Sequence, residues 1–147
     1  MRVQVVQILV ILMALFAMVS AHTLYCADED HAAPWQAISD GMHHIKNIEH
    51  SGKGIGQDGK ATGEHGGWAW IPAHSCAKLY CNNGGAFFWC NEDKNTDKWM
   101  RVEHIREGLD TIAHECPKYP KEKKKWTGGV LDHPDNWSAV MRFDPAC

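Results

Sequence analysis

The sequence predicts an α+β fold in which a small antiparallel sheet is covered by two helices and stabilised by disulfides. Two segments carry apolar residues at spacings of three and four, which is the period of an amphipathic helix. Between them, two apolar runs flank Asn-Asn-Gly-Gly, a sequence typical of a tight hairpin turn. The chain also has six cysteines. Strands placed between two helices favour an antiparallel sheet covered on one face by helices.

The first predicted helix begins at Pro34 and ends near His50. Proline suits the first turn of a helix because its missing N–H would be unpaired there. The apolar stripe consists of Trp35, Ile38, Met42, Ile45 and Ile48. Residues 51–67 follow with seven glycines and few apolar side chains, so we expect a loop or a loosely ordered hairpin that adds little to the core. Its stretch GIGQDGKA lacks the hydroxyl residue that a phosphate-binding loop needs for magnesium.

Strands are predicted at residues 68–71, 74–81, 86–90 and 136–143, and the middle two form the hairpin. Residues 91–99 are a polar connection in which Asp97 is the expected N-cap of the second helix. That helix carries the apolar stripe Val102, Ile105, Leu109, Ile112 and Cys116, and Pro117 ends it. Residues 118–125, KYPKEKKK, are expected to be a solvated basic loop. The expected core is Trp35, Ile38, Met42, Ile45, Phe87, Trp89, Val102, Ile105, Leu109, Ile112, Val140 and Phe143.

Residues 1–21 have the pattern of a secretory signal peptide. Arg2 precedes an apolar run, and small residues occupy the expected cleavage site at Ala21. The run is too short to cross a bilayer comfortably, so we expect a secreted, extracellular protein with no stable membrane anchor. Residues 22–147 then form a single domain. This part has 14 Lys and Arg against 18 Asp and Glu, which argues against a nucleic-acid partner.

All six cysteines follow the predicted signal peptide. They are Cys26, Cys76, Cys81, Cys90, Cys116 and Cys147. An even number in a small secreted chain predicts about three disulfides, although the sequence does not fix how they pair. We expect Cys90 to bridge Cys116, which would tie the central strand to the end of the second helix. Because no two cysteines have the C-x-x-C spacing, a zinc ribbon or a thioredoxin-type redox site is not expected.

The residues from 35 to 147 resemble a known class of proteins. The segments HSC and GAFFWCNED, the helix ending in His114-Glu115-Cys116, and NWSAVMRF before a final cysteine resemble small secreted cysteine-rich proteins of filamentous fungi. Many of these are treated as candidate effectors or toxins. The order of strands, helix and cysteines is also similar to the smut-fungus killer toxins, whose fold is a compact α/β sandwich. The resemblance implies secretion and action on a plant or a competing microbe.

Ten histidines are present, and His22 is the most informative. Cleavage after Ala21 would make His22 the first residue, with a free amine and an imidazole ring that together suit copper(II). A second histidine would complete the T-shaped brace seen in lytic polysaccharide monooxygenases. Elsewhere, His43 and His50 share a face of the first helix that we expect to be exposed to solvent, with incidental metal binding or a response to pH as the alternative. No H-E-x-x-H sequence is present, which argues against a zinc protease.

Other polar and aromatic residues indicate possible binding surfaces. Trp68 and Trp70 alternate along a predicted strand and would share one face, either as core or cover for the sheet or as a sugar-stacking surface. Trp89, Trp99 and Trp137 are expected to be core residues. A basic cluster could bind acidic polysaccharide or lipid headgroups and consists of Lys121, Lys123, Lys124 and Lys125. Asn136-Trp137-Ser138 matches the glycosylation sequon.

Together these patterns predict a monomeric effector- or toxin-like protein without catalytic residues. It would act outside the producing cell by binding a host or competitor protein, or a cell-wall polysaccharide. Two alternatives remain. One is a copper-binding protein that uses His22, and the other is a carbohydrate-binding module that uses Trp68 and Trp70.

Overall fold

A computed structural model describes residues 22–121 and 124–147, so the predicted signal peptide lies outside the described residues. The helices are α1 (Trp35–His50) and α2 (Val102–Glu115). The described strands are β1 (Thr23–Cys26), β2 (Ala33–Pro34), β3 (Gly54–Ile55), β4 (Ala61–Thr62), β5 (Trp68–Ile71), β6 (Ser75–Asn82), β7 (Gly85–Asn91), β8 (Lys98–Arg101), β9 (Tyr119–Lys121), β10 (Lys124–Thr127), β11 (Gly129–His133) and β12 (Trp137–Phe143). The α+β class is therefore confirmed. None of the described helices is long and apolar enough to cross a membrane.

The largest sheet has five antiparallel strands in the order β1-β11-β12-β7-β6. The predicted β6–β7 hairpin is confirmed, and Asn83 and Gly84 both have positive φ in its turn, as Asn-Gly turns require. The predicted final strand corresponds to β12. The edge strand β1 was not predicted, because its four residues are mostly exposed and show no apolar alternation.

Two smaller sheets lie beside the five-stranded sheet in the chain's fold. Their strand orders are β2-β10-β9 and β4-β3-β5-β8. The described chain thus has twelve strands in three sheets, rather than the single small sheet expected. The basic stretch at residues 118–125 was predicted to be a loop, but β9 and β10 pair through it as a hairpin. Strands of two to four residues carry too little apolar pattern to be recognised, and lysines are uncommon in strands.

Both predicted helices are confirmed. Gly41 of α1 is buried where the helix lies against Phe87, and a Cβ at this position would overlap that ring. The two helices are joined by Arg106, whose Nε donates to Glu49 Oε2 over 2.6 Å. The predicted N-cap was wrong: α2 begins after Arg101 without a side-chain cap, and Asp97 instead accepts the backbone N–H of Ala73.

The core prediction is confirmed for most residues. Ile38, Ile45, Phe87, Trp89, Val102, Ile105, Leu109 and Ile112 are fully buried. Trp35 and Met42 are partly buried and pack against this cluster. Val140 and Phe143 are only partly buried; Val140 points away from the core, which takes Ala139 and Met141 from β12 instead. Successive side chains along a strand point to opposite faces. Placing Val140 on the core face therefore put its neighbours Ala139 and Met141 on the opposite face by mistake.

Three disulfides form, as expected from the cysteine count. They join Cys26 to Cys116, Cys76 to Cys90, and Cys81 to Cys147. The expected Cys90–Cys116 bridge was wrong. Cys90 lies directly opposite Cys76 in the β6–β7 ladder, whereas Cys116 at the end of α2 lies beside β1. The unrecognised strand β1 is thus the reason that the pairing could not be deduced. Disulfides of this number are typical of oxidising compartments.

The glycine-rich segment is more ordered than the sequence suggests. β3 and β4 form a small hairpin in which Ile55 is fully buried, so the segment does contribute to the core. Its turn is closed by backbone hydrogen bonds between Gly56 and both Gly59 and Lys60. Gly59 has φ +79° and lies against the backbone of Lys78, so close that a Cβ would overlap the carbonyl oxygen.

Gly59→Ala is therefore expected to lower the free energy of unfolding by about 2 kcal/mol or more, because left-handed backbone costs an L-residue about 1–2 kcal/mol and the overlap with Lys78 adds to it. Gly63→Ala is the matched control in the same segment, since no atom lies near its Cβ position and its φ is not positive. Its effect should stay within about 0.5 kcal/mol. If urea denaturation shows that Gly59→Ala and Gly63→Ala lower the free energy of unfolding equally, the β3–β4 hairpin does not pack on β6.

Candidate functional site

A cluster of tryptophans lies on one face of β5 and β8. Trp68 and Trp70 share this face, as predicted, because they alternate with the buried Ala69 and Ile71. Trp99 lies directly opposite Trp70 across the strand pair, with ring centroids 6.3 Å apart. We call Trp68, Trp70 and Trp99 the tryptophan face.

Two of these three indoles are largely exposed. Trp68 is 40% exposed and Trp99 is 52% exposed, whereas Trp70 is partly buried between them. The expectation that Trp99 belongs to the core was wrong, while Trp89 and Trp137 are buried as expected. A shallow groove of about 340 Å³ is lined by Trp68 and Trp99.

Polar side chains border the tryptophan face. The Arg101 guanidinium lies 5.4 Å from the Trp68 ring centroid, and the His65 ring meets Trp99 edge-on at 5.0 Å. Such contacts hold indole rings in place and put hydrogen-bond donors beside apolar surface. Flat apolar rings next to polar groups can stack on a sugar ring and bind its hydroxyls.

A second candidate site is a cleft between the edge of the large sheet and α2. We call it the histidine cleft after His22, His104 and His133, which line it together with Glu107 and Asp135. Its volume is about 470 Å³. β1 and β11 pair so that Thr23 lies opposite Asp132, which brings His22 beside His133. Their ring centroids are 4.6 Å apart.

His133 is the most constrained residue of the cleft. Its ring stacks on Trp137 with centroids 4.8 Å apart and planes within 17°. Burial lowers the pKa of His133, and the neighbouring His22 lowers it further, while the Asp135 carboxylate opposes the change. His133 therefore favours its neutral form, which is the form that can bind a metal ion.

The remaining predicted site residues do not converge on these two places. Lys125 is exposed on β10, and the side chains of Lys121, Lys123 and Lys124 lie outside the described part of the structure. Asn136 is exposed in the turn between β11 and β12, with φ +57°, whereas Ser138 of its sequon is buried and donates to Glu92. Occupancy of the sequon remains a prediction.

His43 and His50 line a third cleft, beside the Glu49–Arg106 ion pair. Both histidines are exposed on α1, as expected for a solvated helix face. Within the described ranges, no group of three or more His, Cys, Asp or Glu side chains is arranged to hold a metal ion.

Sequence reasoning missed Trp99 and His133. Trp99 stands in a polar segment, where a lone tryptophan suggests a core anchor. His133 could be placed only through the β1–β11 pairing, and the two adjacent apolar residues Val130 and Leu131 were only a weak sign of that strand.

Comparison with known proteins gives no match, because no protein family, no curated protein and no solved structure is similar enough to this chain. A function must therefore be inferred from the chemistry of the sites themselves.

Proposed function

We propose that this protein is secreted and acts outside the producing cell as a non-enzymatic effector- or toxin-like binder. In this proposal the tryptophan face contacts a cell-wall polysaccharide of a host or competitor. The observation that carries it is the pair of exposed indoles, Trp68 and Trp99, on one groove. The three disulfides, the predicted signal peptide and the resemblance to fungal effectors and killer toxins support an extracellular role.

A polysaccharide fits this surface better than a protein partner does. The groove is small, shallow and almost wholly aromatic, and protein interfaces usually need a wider buried area. Sugar rings stack on indoles one at a time, so a few exposed rings suffice. His65 and Arg101 supply donors at the border of the groove, where hydroxyls of a stacked sugar would lie.

Trp68→Ala and Trp99→Ala are each expected to weaken polysaccharide binding by about 30-fold, because a tryptophan at the centre of a contact contributes about 2 kcal/mol. The measurement is depletion of the secreted protein from solution by insoluble chitin, cellulose and β-glucan. Both residues are exposed, so thermal unfolding of the variants should change little.

Tyr25→Ala is the matched control, since Tyr25 is 58% exposed on the distant strand β1. It should bind like the unmodified chain. If no polysaccharide retains the protein, or if all three variants lose binding equally, the tryptophan face is not a sugar site. Cross-linking at Trp68 and Trp99 to a protein from the target cell would then identify the other class of partner.

A further inference from the structure

The histidine cleft, whose described lining includes none of the tryptophan-face residues, brings two imidazole rings together. His22 precedes β1 and His133 ends β11, and the pairing of these two strands sets the rings side by side at the sheet edge. Residues opposite one another in an antiparallel pair have Cβ atoms about 5 Å apart, so the two imidazoles can reach a common ion.

The hydrogen bonds of His133 show which nitrogen is available. The backbone N–H of Asp135 donates to His133 Nδ1 over 3.1 Å, and the Asp135 carboxylate lies 3.3 Å from the same atom. Nδ1 is thus turned toward Asp135, and Nε2 is left for a ligand. With a metal at Nε2, the ring proton would sit on Nδ1, and the Asp135 carboxylate would accept it in place of the backbone N–H contact. A metal-bound histidine usually donates its other ring N–H to a carboxylate, a backbone carbonyl or water.

The position of the His133 ring is also fixed before any ion arrives. Trp137 stacks on one side of it, and the strand ladder holds its backbone. A metal-binding side chain whose rotamer is already fixed by packing loses little conformational entropy when the ion binds, which favours affinity. His22 is exposed, and the bridge from Cys26 to Cys116 secures the strand that follows it.

We propose that His22 and His133 form a copper(II) site once the chain is cleaved after Ala21. The new α-amine and the ring of His22 would chelate the ion, and His133 Nε2 would supply the third nitrogen. This set combines two side chains with a backbone amine, so it differs from the clusters of three side chains that are absent from the described residues.

Copper(II) is the ion that fits these donors. It prefers nitrogen ligands in a tetragonal arrangement and has the highest affinity of the divalent first-row metals. Structural zinc sites usually have four ligands in a tetrahedron, commonly with cysteine thiolates, and all six cysteines here are in disulfides.

His104 lines the opposite wall of the cleft, with Nδ1 3.4 Å from Glu107 Oε2.

The test uses the full chain secreted from a fungal host. Its N-terminus is determined by mass spectrometry, and copper(II) is titrated into the metal-free protein by calorimetry and electron paramagnetic resonance. We expect a chain that begins at His22, one copper per chain, and a tetragonal spectrum with nitrogen hyperfine structure. A different N-terminus, or no copper bound, overturns the proposal.

Three variants separate this site from the other histidines. His133→Gln should weaken copper binding by more than about 100-fold, and Asp135→Asn by about 10- to 100-fold, because outer partners of a ligand usually contribute that much. His43→Gln, on the exposed face of α1, should bind as the unmodified chain does. Equal affinity in His133→Gln overturns the proposal, because copper would then be held elsewhere.

An insertion of several Gly and Ser residues between Ala21 and His22 tests the amine without altering the cleft. It moves the new terminus away from the His22 ring, so affinity should fall as far as in His133→Gln. If the extended chain binds copper equally well, the proposal is wrong. The proposed polysaccharide binding is tested separately, since Trp68→Ala and Trp99→Ala should retain copper.

Discussion

Removing the Cys26–Cys116 bridge is expected to lower the free energy of unfolding by about 4–5 kcal/mol, one of the largest losses for any substitution in this chain. The two cysteines are separated by 90 residues, and a cross-link restricts the unfolded chain more when it closes a longer loop. The change is Cys26→Ala together with Cys116→Ala, and the measurement is urea denaturation followed by tryptophan fluorescence.

The matched control is removal of the Cys76–Cys90 bridge by the same substitutions. This bridge closes only 14 residues, within a hairpin that already pairs, so about 3 kcal/mol is expected. A smaller loss for the long bridge than for the short one would contradict the expected order. The long bridge also anchors β1, so its loss should weaken copper binding at His22, whereas the loss of the short bridge should not.

Trp89→Ala is expected to lower the free energy of unfolding by about 3–5 kcal/mol, because the indole is fully buried in the core and its removal leaves a large cavity. Trp89→Phe should cost less than about 1.5 kcal/mol. The Trp89 N–H has no hydrogen-bond acceptor among the described residues, so a ring without a polar group loses no bond.

Trp99→Ala provides the comparison for the same residue type. Trp99 is exposed, and its loss should change the free energy of unfolding by about 0.5 kcal/mol at most. The three variants are compared in a single denaturation series. If Trp99→Ala proves as damaging as Trp89→Ala, then the tryptophan face is part of the folded core, and its assignment as a binding surface fails.

The helices and the central hairpin could be predicted because each carries its signal locally. α1 and α2 are long enough for several turns of apolar spacing, and Asn83-Gly84 specifies its turn through backbone conformation alone. These signals do not depend on what the helix or hairpin packs against. The strand β12 could also be predicted from its own residues, because it is seven residues long.

The features that could not be predicted depend on partners far along the chain. β1 is a strand only because β11 lies beside it, and both the position of Cys26 and the approach of His22 to His133 follow from that pairing. Trp89 and Trp99 are the same residue type, yet Trp89 on β7 is fully buried and Trp99 on β8 is exposed, which depends on what packs against each strand. The sequence therefore pointed to His22, whereas the position of His133 beside it became visible only in the folded structure.

The register of the β6–β7 hairpin has a consequence for how the disulfides are sorted. Cys26, Cys76, Cys81 and Cys90 all precede Cys116 and Cys147 in the chain, so several non-native pairings are possible early in folding. The ladder sets Cys76 opposite Cys90, whereas Cys81 lies opposite Ala86. Once the hairpin has paired, its register therefore favours the native Cys76–Cys90 bridge over a bridge between Cys81 and either of these cysteines. We expect strand pairing to reduce the number of mispaired bridges that must be rearranged.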